Sequence, residues 1–303
     1  MTAATTSLVG IVTVLYNSDQ VLQDFFSSLA AQEGLRFKLY VIDNGSTDSG
    51  TRLSESLARQ YDIDAVCVFN NANVGVAGGN NQGIALALAD NCSHVLLANN
   101  DTQFPPETIQ LLVATLAKDR ELVATPKIMY HSQPYLLWYG GGHINPWAMR
   151  TPHYGYQKVD RGQTDDTRHV GYAPTCFMLL DVAVFQRVGR MDENYFVYYD
   201  DSDFVWRMRQ HGIRIRYVAE SVVFHKVSTS TGGERSPFSI YYTNRNRIYF
   251  IRKNLRGFNR IFAFCYTMAT RIPRLLVLSP SLSKRGWQGV LDGLKMSLTP
   301  REI

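Results

Sequence analysis

Four short apolar runs, each ending abruptly in polar residues, constrain this chain more than any other feature. They lie at residues 8–15 (LVGIVTVL), 38–42 (KLYVI), 65–69 and 94–98 (HVLLA). Their length and β-branched content predict buried strands. Between them, residues 21–31 (VLQDFFSSLAA) carry apolar side chains at helical spacing. A second helix is expected from about Asp48, capped by Ser46 or Thr47. A third is expected over 82–88, after the Gly/Asn-rich stretch 70–81. Strands alternating with helices build parallel βαβ units with right-handed crossovers. Chemistry in such sheets sits beyond the carboxyl ends of the strands. Tyr16-Asn17, Asp43, the 73–81 segment and Asp101 all follow strands. Turn formation explains any one of these clusters, but four along one sheet edge imply a site.

The chain has 303 residues, enough for one large α/β core and a smaller appendage. With 45% hydrophobic and 19% charged residues it has the composition of a folded domain rather than a disordered chain. After Asp101 the pattern loosens into an aromatic excursion over 140–156 (GGGHINPWAMRTPHYGY). Strand character returns over 170–180, 214–219 and 222–224, with a short helix at 184–187 and a loop-like composition over 228–237 (STSTGGERSP). No apolar run is long and charge-free enough to span a bilayer, and MTAATTS lacks the basic start of a signal peptide. Cys67, Cys92, Cys176 and Cys265 are scattered, giving no zinc or disulfide framework. These features predict a cytoplasmic protein. The net charge is +5, and Arg and Lys crowd residues 245–274. Such a tail fits either an anionic partner or a solvated basic face.

Three groups could carry chemistry. Asn99-Asn100-Asp101, at a strand end, could hold a divalent metal and a diphosphate. Asp200-Asp201-Ser202-Asp203 places three carboxylates in four residues at a helix start, where they repel unless a cation or proton relieves them. A calcium loop is excluded because Phe204, Val205 and Trp206 follow where oxygen ligands are needed. His225 closes an apolar strand ahead of the 228–237 loop, as a residue under a gate would. The segment Asn73 to Asn80 has neither GxGxxG spacing nor a Gly-Lys-Ser/Thr, which argues against dinucleotide and triphosphate sites. Gly78-Gly79 would still allow close approach of backbone to a ligand.

Taken in order, VTVLYNS, VIDNGSTD, NANVGVAGGNNQGI, LLANND, GRMDENYFVYYDDSDFVWRMRQHG, VVFHK and YYTNRNRIYFIRKN resemble glycosyltransferase family 2, in its rhamnosyltransferase-like branch. The resemblance implies an α/β GT-A fold: a Rossmann-like central sheet with helices on both faces and a C-terminal helical appendage. It implies a catalytic domain over 1–240, divided near 102 into donor and acceptor halves, and a helical segment over 241–303. Tyr16, Asn17 and Asp43 would hold the nucleoside, and Asn73, Gly75, Gly78, Gly79 and Asn80 would line the donor pocket. Asn99 and Asn100 would touch ribose or phosphate, while Asp101 and His225 would bind Mg2+ or Mn2+. Asp201 would be the base of an inverting transfer, its pKa raised by Asp200 and Asp203. Arg245-Asn246 would pack beneath the site. The donor implied first is dTDP-rhamnose and second a UDP-hexose; the acceptor is a glycan or lipid-linked saccharide, with no nucleic acid involved. The tail could bind an anionic membrane as an amphipathic basic helix, or pack on the catalytic domain, with Pro273 breaking or kinking it. A nucleotidyltransferase would need a Gly-rich basic loop after the first strand, where Tyr16-Asn17-Ser18-Asp19 stands. A non-catalytic carbohydrate-binding protein would need no metal site and no base.

Overall fold

The computed structural model describes residues 7–227 and 236–299. Its first half is the expected alternation: β1 (Leu8–Leu15), α1 (Asp19–Ala30), β2 (Arg36–Asp43), α2 (Gly50–Gln60), β3 (Ala65–Phe69), α3 (Gly75–Ala89) and β4 (His94–Ala98). Then come β5 (Thr102–Gln103), α4 (Thr108–Asp119), β6 (Val123–Tyr130), β7 (Leu137–Tyr139), β8 (Arg168–Val170) and β9 (Phe177–Asp181). The chain continues through α5 (Ala183–Val188), α6 (Asp200–Gln210), β10 (Ile215–His225), α7 (Pro237–Asn254), α8 (Gly257–Leu276) and α9 (Pro280–Lys295). Most of the 228–237 loop lies outside the described residues.

The strands form one mixed sheet in the order β3-β2-β1-β4-β9-β6-β10-β5, with β7 on β6 and β8 on β10. β3, β2, β1 and β4 run parallel, as apolar runs joined by helices require. β9 then enters antiparallel between β4 and β6. Expected separately, the late strands at 214–219 and 222–224 are one strand, β10, whose register against β6 shifts between Val218 and Val222. That bulge absorbs the polar residues between them. The 170–180 run is split instead: β8 ends at Val170 and β9 begins at Phe177.

Two helix starts differ from expectation. Helix α3 begins at Gly75, seven residues earlier than its apolar spacing suggested, so the glycine-rich stretch is helical. A Cβ at Gly79 would sit 2.8 Å from Val14 Cγ1, and one at Gly83 2.3 Å from Val12 Cγ1. These glycines let α3 lie directly on β1, which is why they occur in a helix they otherwise weaken. Helix α2 begins at Gly50, and Ser46 and Thr47 bond to Asn17 rather than capping it.

The basic tail divides in two. Helix α7 is packed: Ile248, Tyr249, Phe250 and Ile251 are fully buried. Helix α9 crosses it on two glycines four residues apart, where Cβ atoms at Gly289 and Gly293 would lie 2.4 Å from the carbonyl oxygens of Tyr241 and Arg245. The helix breaks at Leu255 and Arg256, both extended, and not at Pro273, through which α8 continues to Leu276. Helix α8 leaves Phe258, Ile261 and Phe262 exposed. Among the described residues no helix is long and apolar enough to cross a membrane.

Gly83→Ala tests the α3–β1 contact. Overpacking of about 1–3 kcal/mol should exceed the ~1 kcal/mol gained from helix propensity. Thermal denaturation should show a lower Tm, partly restored by adding Val12→Ala.

Candidate active site

A cavity of about 550 Å³ opens beyond the carboxyl ends of the central strands, lined by Asn99, Trp138, Tyr172, Asp200, Asp201 and His225, among others. Asp201 enters it from the first turn of α6. One oxygen, Oδ2, accepts a short hydrogen bond from the Tyr172 hydroxyl. The other, Oδ1, accepts from the Ser202 backbone N–H at 2.6 Å and the Ser202 hydroxyl at 3.1 Å. Burial and the Asp201 charge hold the Tyr172 pKa well above that of an ordinary phenol, so this tyrosine stays a donor.

The segment before α6 does not adopt its position unaided. Phe196, Tyr198 and Tyr199 all have left-handed backbones, with φ of 64°, 61° and 67°. For aromatic residues each such conformation costs on the order of 1–3 kcal/mol and persists only when the surroundings impose it. Here α7 imposes it. Asn246, fully buried, donates through Nδ2 to the carbonyls of Tyr195, Val197 and Tyr198 at 2.8, 2.6 and 2.9 Å. Arg245 reaches the carbonyls of Asn194 and Tyr195, both at 2.7 Å. Gly75 completes the grip, because a Cβ there would fall 2.5 Å from the Phe196 carbonyl oxygen.

The three carboxylates of the acidic run have separate environments. Asp200 lines the cavity, yet its own burial and the adjacent Asp201 raise its pKa to about 8. Asp203 is not in the cavity wall. Its carboxylate meets Lys253 at 2.9 Å, Arg207 at 2.8 Å, Asn254 at 2.8 Å and Tyr195 at 3.1 Å. Although buried, it is held ionised by the cations of Arg207 and Lys253. Asp203 thus ties α6 to α7 through Lys253 and Asn254.

At the other end of the cavity, His225 closes β10 and Asp101 follows β4. His225 Nε2 lies 3.1 Å from Asp101 Oδ1, and Trp138 packs edge-on against the imidazole at 4.8 Å. His225 Nδ1 is buried without a hydrogen-bond partner among the described residues. A carboxylate oxygen beside an imidazole nitrogen is a donor pair suited to Mn2+ or Mg2+. Among the described residues no group of three or more His, Cys, Asp or Glu side chains converges to hold a metal. The pair would therefore hold an ion only together with oxygens of a ligand.

The expected donor residues divide. Asn99 lines the cavity. Asn100 instead donates to the Val14 carbonyl and the Ser18 hydroxyl, both at 3.1 Å, tying β4 to β1. Tyr16 is exposed at the end of β1. Asn17, with φ of 50°, accepts from the Thr47 backbone at 2.8 Å and binds the two loops together. Asp43 is buried, its oxygens accepting from the Ser46 N–H at 2.8 Å and the Thr51 hydroxyl at 2.6 Å. Asn73 accepts from the Gly75 N–H and shapes the start of α3. Gly78, Gly79 and Asn80 do not reach the cavity, because the helix starts before them. Gly79 faces β1, and Asn80 points to the Met191 sulfur at 3.7 Å. From this segment Val76 lines the wall. Sequence reasoning also missed Tyr172, which sits alone between two strands with no motif around it.

Asn246→Ala should release the left-handed segment, cutting turnover at least ~10-fold while costing about 1–3 kcal/mol in denaturant unfolding. For Asp200, the folded pKa exceeds the unfolded one. Its stability contribution is full below about 3.8 and declines as pH rises to about 8. Asp200→Asn should raise the Tm more at pH 8 than at pH 5, which melting curves at the two values would check.

Comparison with known proteins bears on family and fold. The family model described as Glycosyl transferase family 2 matches residues 10–189. The chain is 24% identical over 244 residues to the low-salt glycan biosynthesis hexosyltransferase Agl10 of Haloferax volcanii, covering 78% of this chain and 73% of that protein. It is 28% identical over 254 residues to the N-acetylglucosaminyl-diphospho-decaprenol L-rhamnosyltransferase of Mycobacterium tuberculosis, covering 77% of this chain and 80% of that protein. The structure of S. aureus TarS in complex with UDP-GlcNAc superposes with a TM-score of 0.63 at 14% identity, covering 95% of this chain and 81% of that one. The fold is thus GT-A, a ten-stranded mixed sheet among helices. With the family model spanning more than half of its length, the chain belongs to glycosyl transferase family 2.

Proposed function

We propose that this glycosyltransferase is inverting and metal-dependent, with Asp201 as its base. One observation carries the reading: Asp201 lies in the same cavity wall as His225, the partner of Asp101. A base and a metal-suited pair facing one space are what a single displacement at an anomeric carbon needs. Asp201 takes the proton of the acceptor hydroxyl as that oxygen attacks opposite the leaving diphosphate. Tyr172 and Ser202 fix the carboxylate's direction. Asp101 and His225 would hold the divalent ion, which would supply positive charge to offset that of the departing diphosphate. Asn99 contacts the donor's ribose or phosphate, and Tyr16, Asn17 and Asp43 frame the nucleoside at the strand ends.

The donor we favour is dTDP-rhamnose, supported by the motif order and by the M. tuberculosis relative's activity as an L-rhamnosyltransferase. A UDP-hexose is the second reading, supported by the TarS complex with UDP-GlcNAc. The acceptor is a glycan or lipid-linked saccharide in cell-surface polysaccharide synthesis. The catalytic domain, placed at about 1–240, is completed by α7, which crosses that boundary, and α8 beyond it lies against the membrane's inner face.

Two measurements check this. Thermal shift with dTDP and UDP, with and without manganese, should give metal-dependent stabilisation by one nucleotide, since ligand binding raises the Tm by mass action. Asp201→Asn should lower kcat by at least about 100-fold, the scale of general-base removal, with nucleotide affinity nearly kept. An equal loss of affinity would make Asp201 a donor or metal ligand. Full activity would remove it from the mechanism.

A further inference from the structure

The cavity has a cationic corner with no counter-charge. Arg150 and Arg247 line it. Arg247 is 5% exposed, donates to the Tyr199 hydroxyl at 2.9 Å and has no carboxylate partner among the described residues. Beside them on α8 stand Arg271, half-buried, and Arg274, exposed. Burial above all, and then the charges of Arg247, Arg274 and Arg150, push the Arg271 pKa down to about 10. Among the described residues none of the four forms an ion pair, although the chain pairs Arg207, Arg214 and Arg216 with acids elsewhere. Four guanidinium groups gathered without an acid are costly unless an anion joins them. Their planar donor forks fit phosphate oxygens.

The surface leading from this corner is apolar. On α8 Phe258, Ile261, Phe262, Cys265 and Ala269 are exposed and recur at three- and four-residue steps, with exposed Leu276 seven residues on, along one outward stripe. The loop that carries Arg150 reaches the stripe through Trp147. Its ring packs on Phe262 at 5.7 Å, and its Nε1 donates to Asn259 at 3.2 Å. A nucleoside gains nothing from such a stripe, whereas a hydrocarbon chain does.

We propose that the acceptor is a saccharide carried on a long-chain lipid diphosphate, its phosphates held by Arg150, Arg247, Arg271 and Arg274 and its chain laid along the outward face of α8. This rests on the transferase reading and names the substrate class that the same cavity takes. It also separates two diphosphates, the donor's at Asp101 and His225 and the acceptor's at the arginines.

The test is calorimetric titration of the full chain with farnesyl diphosphate, inorganic pyrophosphate and, with manganese, UDP and dTDP, at roughly 0.15 M salt so that loose surface attraction is screened. Farnesyl diphosphate should bind at least ~10-fold tighter than pyrophosphate, because only it reaches the stripe. Arg271→Gln and Arg274→Gln should each weaken farnesyl diphosphate at least ~10-fold and leave UDP within about 3-fold, with Arg271→Lys restoring part of the loss. Phe258→Asp with Ile261→Asp should weaken farnesyl diphosphate and spare pyrophosphate. The ligand-free Tm of Arg271→Gln should equal or exceed that of the parent, since a like charge is removed, and this separates lost binding from lost folding. Equal binding of pyrophosphate and farnesyl diphosphate would overturn the lipid assignment. A proportional loss of UDP would give the arginines to the donor. If neither UDP nor dTDP binds while farnesyl diphosphate behaves as stated, the proposed donor site falls and the arginine site stands.

Discussion

Everything at the catalytic end depends on α7 holding residues 195–199 in a backbone form they would not choose. Three aromatic residues there have positive φ, and one buried amide, that of Asn246, satisfies three of the carbonyls left without helical or sheet partners. Unpaired buried carbonyls are costly, and strained dihedrals add to that cost, so the loop and the helix are stable only together. The benefit is positional. The chain turns sharply into α6 and delivers Asp200 and Asp201 to the cavity while Asp203 is buried against Lys253.

The same logic places the rest of the cavity. Asn17 with Thr47, and Asp19 with Ser49, join the loops after β1 and β2. Asn100 joins the ends of β4 and β1. Polar residues at strand ends that look like ligand contacts thus bond largely to one another. They form a rigid rim, and the side chains left facing the cavity are fewer and come from distant segments. Rigidity of this kind limits the ordering that substrates must otherwise supply.

Charge follows a similar division. Acids and bases are paired wherever they support structure, as at Lys127 with Asp160 and at Lys253 with Asp192. At the cavity, Arg150 and Arg247 line the wall with no ion-pair partner among the described residues, while Asp200 carries a raised carboxyl pKa. A carboxyl group at Asp201 and guanidinium groups at Arg150 and Arg247 in one cavity suit a reaction that moves a proton and accommodates phosphate.

The parallel half of the sheet was legible in the sequence because strand and helix periods are local and each apolar run was uninterrupted. The ordered motifs also marked Asp101, Asp201 and His225, since strand ends and helix starts announce where such side chains go. Local pattern failed where long-range packing decided. It could not tell that Gly79 and Gly83 serve contact with β1, that Asp203 turns to Lys253, or that Tyr172 meets Asp201 across 29 residues of chain. It left open whether the basic tail binds a membrane or packs on the catalytic domain; the structure packs α7 and leaves the apolar face of α8 exposed, a division made by the break at Leu255 and Arg256. Sequence by itself determined which residues could act, because chemistry belongs to residue types and their spacing. Only the tertiary structure decided which of them meet, because burial, helix rotation and the strain imposed by α7 depend on contacts between residues far apart in the chain.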